Sequence, residues 1–305
     1  MRAAGPGASW YTQVWDRYAL DGFLKWTNSY FTGERWEEPQ TNAPLLLKLS
    51  FNRPHYPYVC DEEKFRYYLN RVMPHVEHPR TDHPYFTADH AFAPGTDLSA
   101  HEIRRATATY YGMIEECDAD FRLAAEGLTR YGEDLDDWIV VFKADHRDLL
   151  GQHGLWTKHQ FFEGSVGVPL VIRWPRELEP RIVDENVNLR DLFATLCDLC
   201  SVPVPDGLDS RSLVPLMRGH ADDWDDETIS HFHPEYLMIK RGSLKYHYYG
   251  EQMPAFLVDL DSDPAELHDL STDPTYRDVM AGFRKRRDSL GYGPHADPEY
   301  IRAGY

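Results

Sequence analysis

Asp145 and His146 stand side by side just past an apolar run, Trp138-Ile-Val-Val-Phe142, and Lys158 follows on a polar, Gly-rich loop. A carboxylate and an imidazole at the end of a buried strand can grip a cation, because ligands of open α/β sheets bind beyond the strand carboxyl ends. Successive side chains on a strand point to opposite faces, so both groups reach one ion only if the chain turns there. Arg147-Asp148 and Gly151 permit that turn. A hard divalent cation would take Asp145 as an oxygen ligand, with His146 completing the shell or hydrogen-bonding a substrate. The alternative is a polar loop in which Asp145 caps the next turn.

Lys158 and His55 suit a second task. An ester that departs as an alkoxide or phenoxide needs cations or proton donors beside its bridging oxygen. Pro54 and Pro57, on either side of His55, would fix its direction. Taken singly, each of the two reads equally as a solvated loop residue. Cys197-Asp-Leu-Cys200 has the spacing of a redox or zinc pair, but it lies inside an amphipathic helix with no second pair, which favours ordinary core or surface cysteines. Cys117 reads as packing on a helix face. His75, His78, His83 and His90 could line a pocket, yet without a paired spacing they read as solvent-facing.

The elements that must position these residues follow from periodicity. Leu45–Phe51 is a short apolar run bounded by turn signals, expected to be a buried strand that delivers His55. Residues 72–101 carry no period and read as a long loop of the kind that walls a site. Ala106, Tyr110, Met113, Ile114, Cys117, Phe121, Ala124 and Leu128 recur at steps of three and four, one face of a helix over about 102–129. Trp138–Phe142 and Val168–Ile172 are expected to be buried strands. Asn188 can cap a helix burying Leu189, Leu192, Phe193, Leu196 and Leu199. Alternating strands and helices imply a mostly parallel sheet covered on both faces. An acidic linker near 219 ends this α/β part, giving domains 1–220 and 221–305. In the second, Tyr236–Lys240, Leu244–Tyr249 and Phe256–Leu260 read as an antiparallel meander, with a charged helix near 276–290 over one face.

Composition excludes some classes. The chain has 305 residues, enough for one large core, and a net charge of −18. Nucleic acid is an unsuitable partner, because counterion release needs a basic face. No apolar run has the length of a membrane span. The first residues lack the apolar core of a signal peptide, so a cytoplasmic chain is expected. Four cysteines in this length make no disulfide framework and are expected to stay reduced.

Six pieces in order resemble the sulfatase family of the alkaline-phosphatase-like superfamily, most closely its choline-sulfatase and phosphonate monoester hydrolase members. They are Ser50–Tyr58, Tyr110–Asp120, Asp145–Arg173, Arg190–Thr195, Val202–Leu213 and Leu257–Leu270. The resemblance implies an α/β three-layer sandwich with a small C-terminal antiparallel β subdomain. It implies a metal-dependent sulfuric ester hydrolase acting on a small-molecule sulfate ester, with bound Ca²⁺ or, in some relatives, Mn²⁺. It places Asp145 and His146 on the metal, Lys158 at the sulfate and leaving group, and His55 beside the leaving oxygen. Phosphate or phosphonate ester hydrolysis on the same scaffold, and a non-catalytic anion-binding protein, are the other readings. Relatives often assemble, so a homo-oligomer is compatible with the family.

The sequence departs from the family in three ways. It has neither the Asp-Asp pair after a first strand nor the Cys-x-Pro-x-Arg motif whose cysteine becomes the formylglycine nucleophile, so a C-terminal fragment, inactive by itself, is expected. Arg147 replaces a customary Gly, which would strain any left-handed backbone there. Ala144 replaces a Ser or Thr before Asp145.

Overall fold

A computed structural model describes residues 3–8, 10–33, 44–71, 80–87, 98–233 and 235–294. His75, His78 and His90 lie outside them. The described residues fall into two compact units, one drawn from 1–77, 96–141 and 172–176, the other from 78–95, 142–171 and 177–305.

The first unit is helical. Its main elements are α1 (Trp15–Thr32), α2 (Glu62–Leu69) and α3 (Ala100–Thr129). The expected long helix is α3, and its start is fixed by a capping box. Ser99 accepts from the Glu102 N–H while Glu102 accepts from the Ser99 N–H, which satisfies two donors that a helix start would otherwise leave open. Both α1 and α2 pack on α3. Ala106, Met113, Cys117, Ala124 and Leu128 are buried as the spacing predicts, whereas Ile114 is exposed. Gly112 allows close approach, since a Cβ there would fall 2.6 Å from Cys60 Sγ. Leu45–Phe51 is not a strand: among the described residues it pairs with nothing, and its side chains alternate between exposed and half-buried.

Two apolar strands, β1 (Val140–Lys143) and β2 (Leu170–Arg173), pair only with each other among the described residues. They were expected to be buried in a parallel sheet. Strand side chains project from the two faces of the sheet, and here Val140, Phe142 and Val171 are all exposed.

The second unit is built on an antiparallel sheet in the order β6-β5-β4-β3, formed by β3 (Glu227–Phe232), β4 (Tyr236–Arg241), β5 (Leu244–Tyr249) and β6 (Phe256–Asp259). The sequence reading found three of these strands and missed β3. Hairpin register pairs Tyr236 with both Phe232 and Tyr249. Both faces are covered, and the period of two sorts them. Leu237, Ile239, Tyr246 and Leu257 pack under α5 (Arg277–Ser289) with Met280 and Phe283. Tyr236, Met238, Tyr249, Phe256 and Val258 pack against Tyr85, Phe86, Leu149, Leu155, Phe161 and Phe162. At about 25 cal/mol per Å² of apolar surface, this second cluster anchors the 149–162 segment firmly.

Helix α4 (Asp191–Leu199) lies where expected, but its buried face is partly polar. Asp191 and Thr195 are buried and Phe193 is exposed. The Asp191 carboxylate accepts from the N–H groups of Asn188 and Arg211, and the Thr195 hydroxyl accepts from the Leu213 N–H. Tying down those backbone donors is what buries the polar side chains. No helix among the described residues is long and apolar enough to cross a membrane.

Candidate active site

Lys158 is returned to His146 by a short hairpin. Leu149–Leu150 pairs antiparallel with Trp156–Thr157, Leu149 opposite Thr157. The return passes through left-handed backbone at Gly151, His153, Gly154, Thr157 and His159. For the non-glycine residues that conformation costs about 1–3 kcal/mol each and persists only where the surroundings hold it. His153 shows the holding. It is buried, stacks on Phe162 with ring centroids 3.7 Å apart, and places Nδ1 3.0 Å from the Thr81 hydroxyl.

Three of the four sequence-predicted site residues meet at this hairpin. Lys158 Nζ is 2.9 Å from His146 Nε2, and Asp145 Oδ2 is 4.0 Å from the same nitrogen. His146 Nδ1 lies 3.2 Å from the Arg147 carbonyl and 3.8 Å from Asp148 Oδ1. Asp148 is buried, while the Asp145 side chain is 79% exposed. Desolvation works against the charge on Asp145, but His146, backbone N–H groups and Lys143 together hold its carboxyl below the usual range. Burial, then Lys158 and His146, lower the neighbouring His159. Arg147 is not in left-handed backbone, so the strain expected of it does not arise. Its N–H donates to the Ser165 carbonyl at 2.9 Å and its Nη1 to the Gly167 carbonyl at 2.8 Å.

Asp145 and His146 suit one side of a cation site, offering a carboxylate held ionised and an imidazole within reach of it. Ca²⁺ takes about six to eight oxygen ligands. Among the described residues no group of three or more His, Cys, Asp or Glu side chains is set to hold a metal. Two such donors alone would fall short of that shell.

His55 belongs to the first unit. Its N–H donates to the Asn52 carbonyl at 2.8 Å, its ring stacks on Tyr56, and Nδ1 is 2.7 Å from the Tyr56 carbonyl. What fixes this turn is Arg53. Its backbone N–H and Nε donate to Asp16 at 3.1 and 2.7 Å, Nη1 donates to Glu116 at 3.1 Å, and Nη2 donates to Asp120. Asp16 also accepts from the Asn52 N–H, and Glu116 accepts from the Asp61 N–H at 2.6 Å. Burial opposes the charge on Arg53, but Asp16 and Asp120 more than offset it and raise its pKa. Sequence reasoning missed this network. The available signal was Glu116 and Asp120, one helical turn apart beside the otherwise apolar face of α3.

His83 is neither solvent-facing nor pocket-lining. It is buried, with Nε2 2.9 Å from the Pro254 carbonyl and Nδ1 accepting from the Tyr85 N–H at 3.2 Å. All four cysteines are free, and burial pushes the Cys60 and Cys117 thiols up to about 12, as inert packing groups require.

The family model described as Sulfatase matches residues 8–202, and that described as N-sulphoglucosamine sulphohydrolase, C-terminal, matches residues 151–291. A choline-sulfatase of Rhizobium meliloti is 30% identical over 79% of this chain and 49% of its own length. An arylsulfatase of Clostridium perfringens is 28% identical over 80% of this chain and 53% of its own. The solved phosphonate monoester hydrolase of Agrobacterium radiobacter superposes with a TM-score of 0.75 at 26% identity, over 94% of this chain and 62% of that one. The chain spans about half the length of the curated relatives it matches. Its architecture is the alkaline-phosphatase-like α/β fold with a C-terminal antiparallel sheet. The chain belongs to the sulfatase family.

Proposed function

We propose that this polypeptide is the C-terminal part of a metal-dependent hydrolase of small-molecule sulfate monoesters. The observation that carries the reading is the 2.9 Å contact of Lys158 Nζ with His146 Nε2, with Asp145 Oδ2 4.0 Å from the same nitrogen. Lys158 offers a positive charge to the sulfate oxygens and the bridging oxygen as the ester bond lengthens. His55 is assigned to proton supply at the leaving oxygen, where an imidazole is suited to act near neutral pH. A divalent cation, Ca²⁺ or Mn²⁺, would be held on one side by Asp145, joined by His146 once Lys158 leaves its Nε2 for the substrate, and would neutralise charge on the sulfate. Two donors do not complete its shell, and the sequence carries no Cys-x-Pro-x-Arg motif, so the remaining ligands and the nucleophile are assigned to an upstream portion of the domain.

The likeness to a phosphonate monoester hydrolase favours a second reading, phosphonate or phosphate ester cleavage at the same groups. One experiment separates them. The upstream-extended gene product, co-expressed with a formylglycine-generating enzyme, is assayed on aryl sulfate, choline sulfate, phosphonate monoester and phosphate monoester. Sulfate esters are expected to turn over fastest. Preference for a phosphonate installs the second reading, and no turnover of any ester rejects both.

A further inference from the structure

A buried ion cluster lies directly behind the hairpin and has no part in the chemistry above. Lys245 in β5 is fully buried, with Nζ 2.9 Å from Glu163 Oε1 and 2.7 Å from Glu266 Oε1. Glu266 is itself buried, and its other oxygen accepts the Glu163 N–H at 2.6 Å. Its backbone is left-handed, at φ +56°. Lys240 adds a second cation 3.7 Å from Glu163 Oε1. Burial opposes the charge on Glu163, but Lys245, Lys240 and Arg147 hold its carboxyl below the usual range. Desolvating such ions is costly, and a left-handed glutamate adds strain. A structure that keeps both fixes Glu163 from the side chain and from the backbone at once.

Glu163 opens the single helical turn Glu163–Val166. The Ser165 carbonyl of that turn accepts the Arg147 N–H, and Arg147 adjoins His146, on which Lys158 rests. The turn also presses on the hairpin. A Cβ at Gly164 would fall 2.7 Å from Gln152 Oε1 and 2.8 Å from Leu149 Cδ2, so glycine lets the turn sit close against the hairpin side chains. We propose that Lys245, Glu163 and Glu266 are positioning residues: they clamp the Glu163–Val166 turn to the C-terminal sheet and so set the placement of His146 and Lys158. This rests on the reading of those two as site residues.

Glu163→Gln in the chain as it stands tests the clamp, because Lys245 keeps Glu266 as a partner and no buried charge is stranded. Amide hydrogen exchange is read at Arg147, with Tyr246 and Tyr248 of β5 as controls. Acylation of Lys158 by an amine-reactive ester is read by mass spectrometry against exposed Lys285. Glu163→Gln is expected to speed Arg147 exchange and Lys158 acylation about ten-fold while the controls stay within about two-fold. Glu163→Asp, which keeps the carboxylate, is expected to fall between, and serves if the amide variant fails to fold. Wild-type rates at Arg147 and Lys158, or equal acceleration of the β5 amides, overturn the proposal. None of these readouts involves ester hydrolysis, so an inert enzyme and a failed clamp give different results.

Discussion

Lys158 donates and His146 accepts across 2.9 Å. An ammonium carries no acceptor, so this contact needs a bare Nε2 and leaves the ring proton on Nδ1, facing the Arg147 carbonyl at 3.2 Å. The imidazole thereby fixes where the lysine charge sits. In the upstream-extended hydrolase, Lys158→Ala is expected to lower kcat on an aryl sulfate about 10²–10³-fold, the scale for one preorganised donor at developing charge. Lys158→Arg is expected to recover only part of that, since a planar fork cannot occupy the point position of an ammonium. Undiminished kcat in Lys158→Ala would remove the lysine from the chemistry.

Arg53 carries a different kind of weight. Three carboxylates converge on one buried guanidinium, and truncating it strands them in a poorly solvated place. Arg53→Met is expected to cost about 3–5 kcal/mol in urea unfolding, the range for breaking a buried ion pair from one side. Because Asn52 and Arg53 hang on Asp16 by their backbone N–H groups, the same change should also loosen the His55 turn. A loss below about 1 kcal/mol would mean that water already screens the cluster.

These two sites also mark what could be read from sequence. Local pattern sufficed for the period of α3 and for the short β-prone runs of three C-terminal strands. It failed where partners lie far apart along the chain. The Arg53 network joins residues from 16 to 120, and its acids look like ordinary solvated charges until Arg53 is placed among them. The Lys245 cluster joins 163, 245 and 266 for the same reason. Burial of Leu45–Phe51 and β1 was misjudged because an apolar run is read as covered on both faces, whatever strands lie beside it. The polar core of α4 was missed because Asp191 and Thr195 are buried by backbone donors that no hydrophobic pattern reveals.

Buried histidines give the second unit a pH dependence of definite sign. Burial lowers the pKa of His83, and lowers that of His247 well below its usual value, with Lys245, His83 and His153 adding repulsion. In the unfolded chain a histidine takes up a proton near about pH 6.5. Below that pH the unfolded state binds more protons than the folded one, so stability falls as pH drops and is fully present above it. The urea midpoint is expected to decline from pH 7 towards pH 5. His247→Phe, set among Phe161, Phe162 and Phe256, should flatten part of that slope. Identical slopes for the variant and the parent would show that His247 already titrates normally in the fold.

Asp145 offers the most direct test of the cation. Its carboxylate is exposed yet held below the usual carboxylate range, and His146 Nε2 stands 4.0 Å away. Two donors bind a divalent ion weakly, because Ca²⁺ draws its affinity from a shell of about six to eight oxygens. This chain alone is therefore expected to gain little melting temperature from millimolar Ca²⁺. Ligand-linked stabilisation grows only once concentration exceeds the dissociation constant. The upstream-extended protein should gain several degrees, lose them to a chelator, and lose activity with them. Asp145→Asn there should weaken Ca²⁺ binding, measured by calorimetry, at least ten-fold, since an amide oxygen brings no charge to the ion. Unchanged Ca²⁺ affinity in that variant places the cation elsewhere and leaves Asp145 a loop carboxylate.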